Sequence, residues 1–313
     1  MNWDADRIPD QSGRTAVVTG ANSGLGFETS RELAAAGAHV VLACRDTERG
    51  REAATEIREE TTDASLELLE LDLADLASIR SFAETFGRRH DTLDLLVNNA
   101  GVMAIPRRET DDGFEMQFGV NHLGHFALTG LVLDSVRAAD AGRVVTVSSG
   151  AHQRGKVNFG DLHGETDYDE WRAYAQSKLA NLLFAYELQR RLRAADAAAI
   201  SVAAHPGWAA TELQKRGPQM RGSRLRAIMM RAANRLLAQT AEEGALPILY
   251  AATAPDVVGG AYYGPDGLAE MRGGPTRVES TERSHDLDAA RRLWEYSEKA
   301  TDVSYSLPPP KYV

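Results

Sequence analysis

Cysteine is nearly absent from the 313-residue chain: Cys44 stands alone. No internal disulfide can form from one cysteine, and no cysteine-rich metal site exists. A reducing, cytoplasmic compartment is the corresponding expectation. Positive charge is also short. The 35 Lys and Arg face 45 Asp and Glu, a formal net charge of −10, which speaks against nucleic acid or an anionic membrane as the main partner. Lysine is the scarcer basic residue, so Lys178 stands out against an arginine background. No membrane span is expected. Met1 to Ser12 carries Asp4, Asp6 and Asp10 and is neither a signal peptide nor a span. Internal repeats and low-complexity tracts are missing as well. The end of the chain, 301–313, contains Pro308-Pro309-Pro310 and is expected to be a loose, extended tail.

What is present is the composition of an ordinary globular protein, 43% hydrophobic and 26% charged. The length allows a sizeable core, and no linker interrupts it, so residues 1–313 are expected to be one domain. Short apolar runs alternate with periodic helical stretches. Strands are expected at Thr15–Thr19, His39–Ala43, Leu66–Leu71, Leu93–Val97, Arg143–Val147 and Ala199–Ala204, and a last one at Gly260–Tyr263. Helices fall between them, including one long helix over Phe114–Val136 and another over Trp171–Arg193. Six such alternations predict an α/β fold, a doubly wound parallel sheet flanked by helices. Ligands of such sheets sit at the carboxyl ends of the strands.

Those ends carry the chemistry. After the first run comes Gly20-Ala21-Asn22-Ser23-Gly24-Leu25-Gly26. A strand, a glycine turn and a helix together suit a dinucleotide pyrophosphate, because the backbone can approach the phosphates and the helix N-terminus offers unpaired N–H groups. The spacing is Gly-x-x-x-Gly-x-Gly, and glycine turns also occur without any ligand. At the end of the second run Arg45 would accept a 2′-phosphate, favouring NADP(H) over NAD(H); as a plain surface residue it would pair with Asp46 or Glu48. Asp72, followed by Leu73, is placed either to reach an adenine amino group or to cap the helix beginning near Leu76. Asn98-Asn99-Ala100-Gly101 closes the fourth run with small and amide residues, suited to a nucleotide or simply to a turn. Ser149 closes the fifth, and Pro206-Gly207, with Thr211 beyond, follows the sixth. His122 and His125 lack a second ligand cluster and read as packing or surface histidines rather than metal ligands. No Gly-x-Ser-x-Gly elbow surrounds Ser149, which sets aside a hydrolase.

Tyr174 and Lys178 lie four apart on the Trp171–Arg193 helix, one turn from each other on one face. An ammonium near a phenol lowers its pKa, and such a pair moves protons in carbonyl–alcohol interconversion. Taken alone, Tyr-x-x-x-Lys is common in helices; what gives it weight is its convergence with the other strand-end residues. Residues 208–240 break the pattern. Met220, Ile228, Met229 and Met230 are interleaved with arginines, as in a helical flap over a pocket or an ordinary amphipathic surface helix.

From about Gly13 to Tyr263 the chain resembles the short-chain dehydrogenases/reductases. The resemblance rests on Thr19-Gly20-x-x-x-Gly24-x-Gly26, Asp72-Leu73, Asn98-Asn99-Ala100-Gly101, Asn121, Ser149, Tyr174-x-x-x-Lys178 and Pro206-Gly207. Ala43-Cys44-Arg45-Asp46, the long interval from Ser149 to Tyr174, and Ser177-Lys178-Leu179-Ala180-Asn181 are similar to the retinol dehydrogenase and WW-domain-oxidoreductase-like branch. The resemblance implies a Rossmann-type sheet of about seven strands. It implies Tyr174 as general acid, Lys178 lowering its pKa and holding the nicotinamide ribose, Ser149 binding the substrate oxygen, and Asn121 fixing a relay water. It also implies a homodimer or homotetramer formed through the helices carrying Asn121 and Tyr174. The expected function is NADP-dependent interconversion of a small apolar aldehyde or ketone with its alcohol. The alternatives are a catalytically silent NADP(H)-binding redox sensor and a sugar-nucleotide epimerase or dehydratase. The latter calls for a larger C-terminal region than follows Trp208.

Overall fold

The computed structural model describes residues 3–207 and 239–310. Most of the expected flap, Thr211 and the last three residues lie outside the described residues. Eight strands are found among those described: β1 (Thr15–Thr19), β2 (His39–Cys44), β3 (Leu66–Glu70), β4 (Leu95–Asn98), β5 (Arg143–Val147), β6 (Ile200–Ala204), β7 (Tyr262–Pro265) and β8 (Pro275–Val278). They form one sheet in the order β3-β2-β1-β4-β5-β6-β7-β8. β1 to β7 run parallel, and β8 returns antiparallel to β7. The eighth strand, which carries no alternating apolar signal, was not expected.

A parallel sheet covered on both faces needs apolar side chains on both, which is why its inner strands read as unbroken runs. Val17, Val41, Leu96 and Val144 point to one face and Val18, Leu42, Leu95 and Val145 to the other. One face is covered by α1 (Gly24–Ala35), α2 (Thr47–Glu60) and α8 (Ala241–Thr253). The other is covered by α3 (Leu76–Gly87), α5 (Gly124–Leu131) and α7 (Glu170–Ala194), with α9 (Leu287–Thr301) packed over them. The chain runs outward from β1 to β3 and then returns to β4 on the other side of β1. That reversal leaves a crevice at the carboxyl ends of β1 and β4. Among the described residues, no helix is long and apolar enough to cross a membrane.

Two expectations are corrected. The single helix over Phe114–Val136 is not formed. A short turn, α4 (Met116–Phe118), leads into a wide π turn over Gly119–Leu123, then α5, a break at Val132 and α6 (Leu133–Ala138). The close approach of loops to this segment decides its shape: a Cβ on Gly119 would lie 2.6 Å from Thr110 Cγ2, and one on Gly124 would lie 2.5 Å from the Leu73 carbonyl. The tail is not loose through Leu307. Val303, Tyr305 and Leu307 alternate inward and are buried, and the Tyr305 hydroxyl donates to the Phe126 carbonyl at 2.6 Å. The helices expected to carry an oligomer contact are covered by this same segment. α9 and the tail pack on α7 and α5 through Trp294, Phe126, Phe184 and Tyr305.

Candidate active site

The carboxyl ends of the strands open on a crevice of about 950 Å³. Its lining includes Gly20, Asn22, Ser23, Gly24, Leu25, Gly26, Arg45, Asp72, Leu73, Asn99, Ala100, Gly101, Ser149, Tyr174, Lys178, Pro206 and Gly207. Of the expected residues that are described, Asn98 and Asn121 do not line that wall. Thr211 lies outside the described residues, and Asn121 stands behind the wall.

At one end the β1–α1 turn forms a cradle. Gly24 has φ +55°, a left-handed conformation that favours glycine. A Cβ on Gly26 would fall 2.3 Å from the Gly20 carbonyl and 2.6 Å from Asn99 Nδ2, so the turn closes only without one. Ser23 caps α1 without a side-chain hydrogen bond, leaving first-turn N–H groups and a hydroxyl free to meet an anion. Thr19, a residue given no role from the sequence, holds the cradle to β4. Its Oγ1 accepts from the backbone N–H groups of Asn99 and Ala100, both at 2.9 Å. His125 Nε2 lies 2.9 Å from the same oxygen and His125 Nδ1 lies 3.1 Å from the Asn121 carbonyl. A neutral imidazole can donate from Nδ1 to the Asn121 carbonyl and accept the Thr19 hydroxyl at Nε2. Burial pushes His125 down to about 4, consistent with that neutral form.

On the rim, Arg45 pairs with neither Asp46 nor Glu48. Its Nη1 lies 3.7 Å from Asp72 Oδ2, and its side chain is 64% exposed, free to turn toward a ligand. Asp46 instead caps α2. The cap of α3 is Asp75, which accepts from Ala77 N. Asp72 only stabilises the preceding turn, accepting from Ala74 N at 2.9 Å, and faces the crevice.

The other end is built on α7, started by Asp169 accepting from Arg172 N. Nearly every residue from Tyr174 to Leu192 is buried, which explains the weak amphipathic pattern of this helix. Tyr174 is 6% and Lys178 4% exposed, and Lys178 Nζ lies 5.8 Å from the Tyr174 ring centre. Lys178 donates to the Val147 carbonyl at 3.1 Å, shared with Asn181 Nδ2 at 3.0 Å. The Ser148 hydroxyl donates to the Lys178 carbonyl at 2.8 Å, tying α7 to the end of β5.

Burial pushes the Tyr174 phenol up to about 12, and the Ser149 hydroxyl only partly opposes that. Burial also lowers Lys178 to about 8. Desolvation of the charged form is the largest cause at both groups.

Asn121 sits in the π turn, a distortion often found at functional sites. Its side chain is fully engaged. Nδ2 donates to the Val102 carbonyl and to Ser177 Oγ, both at 2.9 Å, and Oδ1 accepts from Val102 N at 2.8 Å. Asn121 thereby clamps the loop after β4 to α7.

Sequence reasoning missed part of the wall: Met103, Met116, Trp171, His205, Glu270 and Met271. His205 Nε2 lies 3.1 Å from Glu270 Oε2, and its ring packs on Tyr262 at 5.0 Å. Glu270 arrives from the β7–β8 connection, which carries no motif. His205 stands beside Pro206-Gly207 and was the one of this group that position alone could have found.

The model of the family described as short chain dehydrogenase matches residues 14–222. Retinol dehydrogenase 13 of Homo sapiens is 43% identical over 285 residues, covering 90% of this chain and 82% of that protein. Polyprenol dehydrogenase of Mus musculus is 45% identical over 297 residues, covering 92% and 83%. The crystal structure of an uncharacterised protein from Mycobacterium Paratuberculosis superposes with a TM-score of 0.81 at 43% identity, covering 98% of this chain and 100% of that one.

Proposed function

We propose, for a chain that belongs to the short-chain dehydrogenase family, that NADP(H) is the cofactor, that an apolar alcohol and its aldehyde or ketone are the substrates, and that Tyr174 moves the proton. Membership makes the protein an oxidoreductase acting on CH–OH groups with a nicotinamide nucleotide. The observation that carries the finer reading is the burial of Tyr174 beside Lys178 and Ser149 at the strand ends.

The residues present suit the dinucleotide. Gly24 and Gly26 shape the turn, and the first turn of α1 offers its N–H groups to the pyrophosphate. Arg45 and Asp72, together on the rim of the crevice, would meet a 2′-phosphate and the adenine respectively. Lys178 uses one of its three N–H bonds on Val147 among the described residues, leaving two for ribose hydroxyls. When bound, the nucleotide supplies the hydride.

The chain's own contribution is orientation and proton transfer. Ser149 would hold the substrate oxygen facing the Tyr174 hydroxyl. A phenol pushed up to about 12 stays protonated at neutral pH, ready to donate to a carbonyl oxygen, so reduction runs near neutrality and oxidation is favoured at higher pH. Asn121 positions Lys178 and Gly101 through its clamp. The methionines Met103, Met116 and Met271, with Trp171, give the substrate end an apolar, adaptable wall. Relatives named for retinol and for polyprenol, both long apolar alcohols, support that substrate class. The location we propose is cytoplasmic, on the buried free thiol of Cys44. We also propose a homo-oligomer, formed through the helices carrying Asn121 and Tyr174.

The test is NADPH and NADH oxidation with long-chain apolar aldehydes and ketones, on wild type and Tyr174→Phe, with nucleotide binding followed separately by fluorescence. The expected result is turnover with NADPH that falls by about 10²–10⁴ or more in the variant while nucleotide binding persists. NADPH binding without turnover on any carbonyl, with the variant indistinguishable, overturns the reading in favour of a redox sensor.

A further inference from the structure

Far from the crevice, at the N-terminal ends of β2 and β3, three metal-ligating side chains converge. His39 opens β2, Glu67 is the second residue of β3, and His90 follows the end of α3. Val41 pairs with Glu67 in the parallel register, so His39, two residues earlier, projects on the same face of the sheet as Glu67. One ligating atom from each of the three residues lies within 4.8 Å of the others. His90 Nε2 is 2.7 Å from Glu67 Oε2, and His39 Nε2 is 3.6 Å from the same oxygen. The two imidazole rings are 5.2 Å apart.

A second observation gives the cluster direction. His39 Nδ1 lies 2.8 Å from Ser65 Oγ, while its Nε2 is buried with no hydrogen-bond partner among the described residues. With the proton on Nδ1, a lone pair on His39 Nε2 faces a lone pair on Glu67 Oε2 with nothing between them. Where the Ser65 hydroxyl accepts from Nδ1, the arrangement is one in which histidines bind metals through the other nitrogen. Arg89 donates to Glu67 Oε1; it orients the carboxylate from behind and leaves Oε2 turned toward the two imidazoles.

We propose that His39, Glu67 and His90 form a binding site for a divalent transition-metal ion of the zinc class. Two imidazoles and one carboxylate are a donor set that zinc accepts, with water in the fourth position. Bonds of about 2.0–2.2 Å place tetrahedral ligand atoms about 3.4 Å apart. The 3.6 Å separation already matches. The 2.7 Å hydrogen bond must open by less than about 1 Å, exchanging one hydrogen bond for two metal bonds. The ion would tie the edge strand β3 to β2 and to the end of α3. Six residues of β2, about 20 Å, separate His39 from Arg45, so the ion's role is structural and it takes no part in hydride transfer.

The experiment is calorimetric titration of zinc chloride into the full, tag-free chain after removal of metals with a chelator, alongside thermal melts. One ion is expected to bind per chain, with a rise in Tm of about 5 °C at a hundredfold excess over Kd. His39→Gln and His90→Gln, each checked by circular dichroism, are expected to weaken binding at least about 100-fold and to abolish the rise. Cobalt in place of zinc should give visible absorption bands of a four-coordinate site in wild type and not in either variant. Absence of saturable binding, or equal affinity in wild type and both variants, reduces the cluster to an ion-pair network and overturns the proposal.

Discussion

At the carboxyl ends of β1, β4 and β5, polar side chains are buried with part of their hydrogen-bonding capacity turned into open space. Beneath α9 and the tail the buried surface is closed and aromatic: Trp294 lies 5.1 Å from Phe126, 5.9 Å from Phe184 and 4.5 Å from Tyr305, ring centre to ring centre. The first region holds Tyr174 and Lys178 desolvated, which opposes their charged forms. The second supplies stability and holds α5 and α7 in place, and with them Asn121 and Tyr174. A change in one region should therefore move activity, and a change in the other should move the melting temperature. Substitutions that separate these two readouts test the division.

The largest effect is expected under α9. Trp294 is 2% exposed, and the Arg191 guanidinium lies 4.2 Å from its ring centre. Trp294→Ala should cost about 3–5 kcal/mol, a fall in Tm of about 10 °C for a chain of this size. Turnover measured well below the new Tm should change by less than about threefold, since no atom of the crevice is removed. A loss of turnover equal to that of a crevice variant would break the division.

Next comes acid. His122 is buried within the π turn, donating from Nε2 to Ser297 Oγ at 2.9 Å, while its Nδ1 has no hydrogen-bond partner among the described residues. Burial holds its pKa down to about 3, with a smaller push from His125. The folded state therefore binds fewer protons than the unfolded state below pH 6.5. Stability from this group is present above the unfolded value and is lost as pH falls from about 6.5 toward 3, at about 1.4 kcal/mol per pH unit. His125, pushed down to about 4, adds a similar slope between 6.5 and 4. Urea unfolding from pH 6.5 to 4 should show His122→Gln with a slope shallower by about 1.4 kcal/mol per unit. An unchanged slope would place the titration elsewhere.

The crevice should respond in the opposite manner. Arg45 is 64% exposed, so Arg45→Ala should leave Tm within about 1 °C. The loss of one charge-assisted contact should lower kcat/KM for NADPH about 10–100-fold and leave NADH nearly untouched. Equal losses with both nucleotides would show that Arg45 does not read the 2′ position.

The two regions also differ in how far they could be read from the sequence. The crevice was legible because its chemistry needs specific residue types at fixed places: Gly24 where φ is positive, Ser149 at the end of β5, Tyr174 and Lys178 one helical turn apart. Strand runs were legible because a sheet covered on both faces leaves no polar positions to confuse the pattern. The region under α9 was not. Val303, Tyr305 and Leu307 look like any loose tail until Phe126 and Trp294 are beside them, and that contact spans about half the chain. The break in the expected Phe114–Val136 helix follows from loops pressing on Gly119 and Gly124, which local periodicity cannot register. His205 and Glu270 meet only through the sheet order, and the burial that raises Tyr174 cannot be seen in its spacing from Lys178.

The smallest contrast is the sharpest, because it sets two aspartates three residues apart against each other. Asp75 caps α3, accepting from Ala77 N at 2.8 Å, and does not line the crevice. Asp72 lines the crevice and lies near Arg45. Removing a cap typically costs about 1 kcal/mol, so Asp75→Ala should lower Tm by about 2–4 °C with nucleotide affinity unchanged. Asp72→Ala leaves the cap intact and should weaken NADPH binding about tenfold through loss of a contact to the adenine end. Its fall in Tm should be smaller than that of Asp75→Ala. Nucleotide titrations and melts on the two variants give four numbers, and the division requires the larger affinity loss and the larger Tm loss to fall on different residues. Both losses falling on Asp72 would make the turn before α3, rather than its cap, the element that stabilises the fold and binds the nucleotide together.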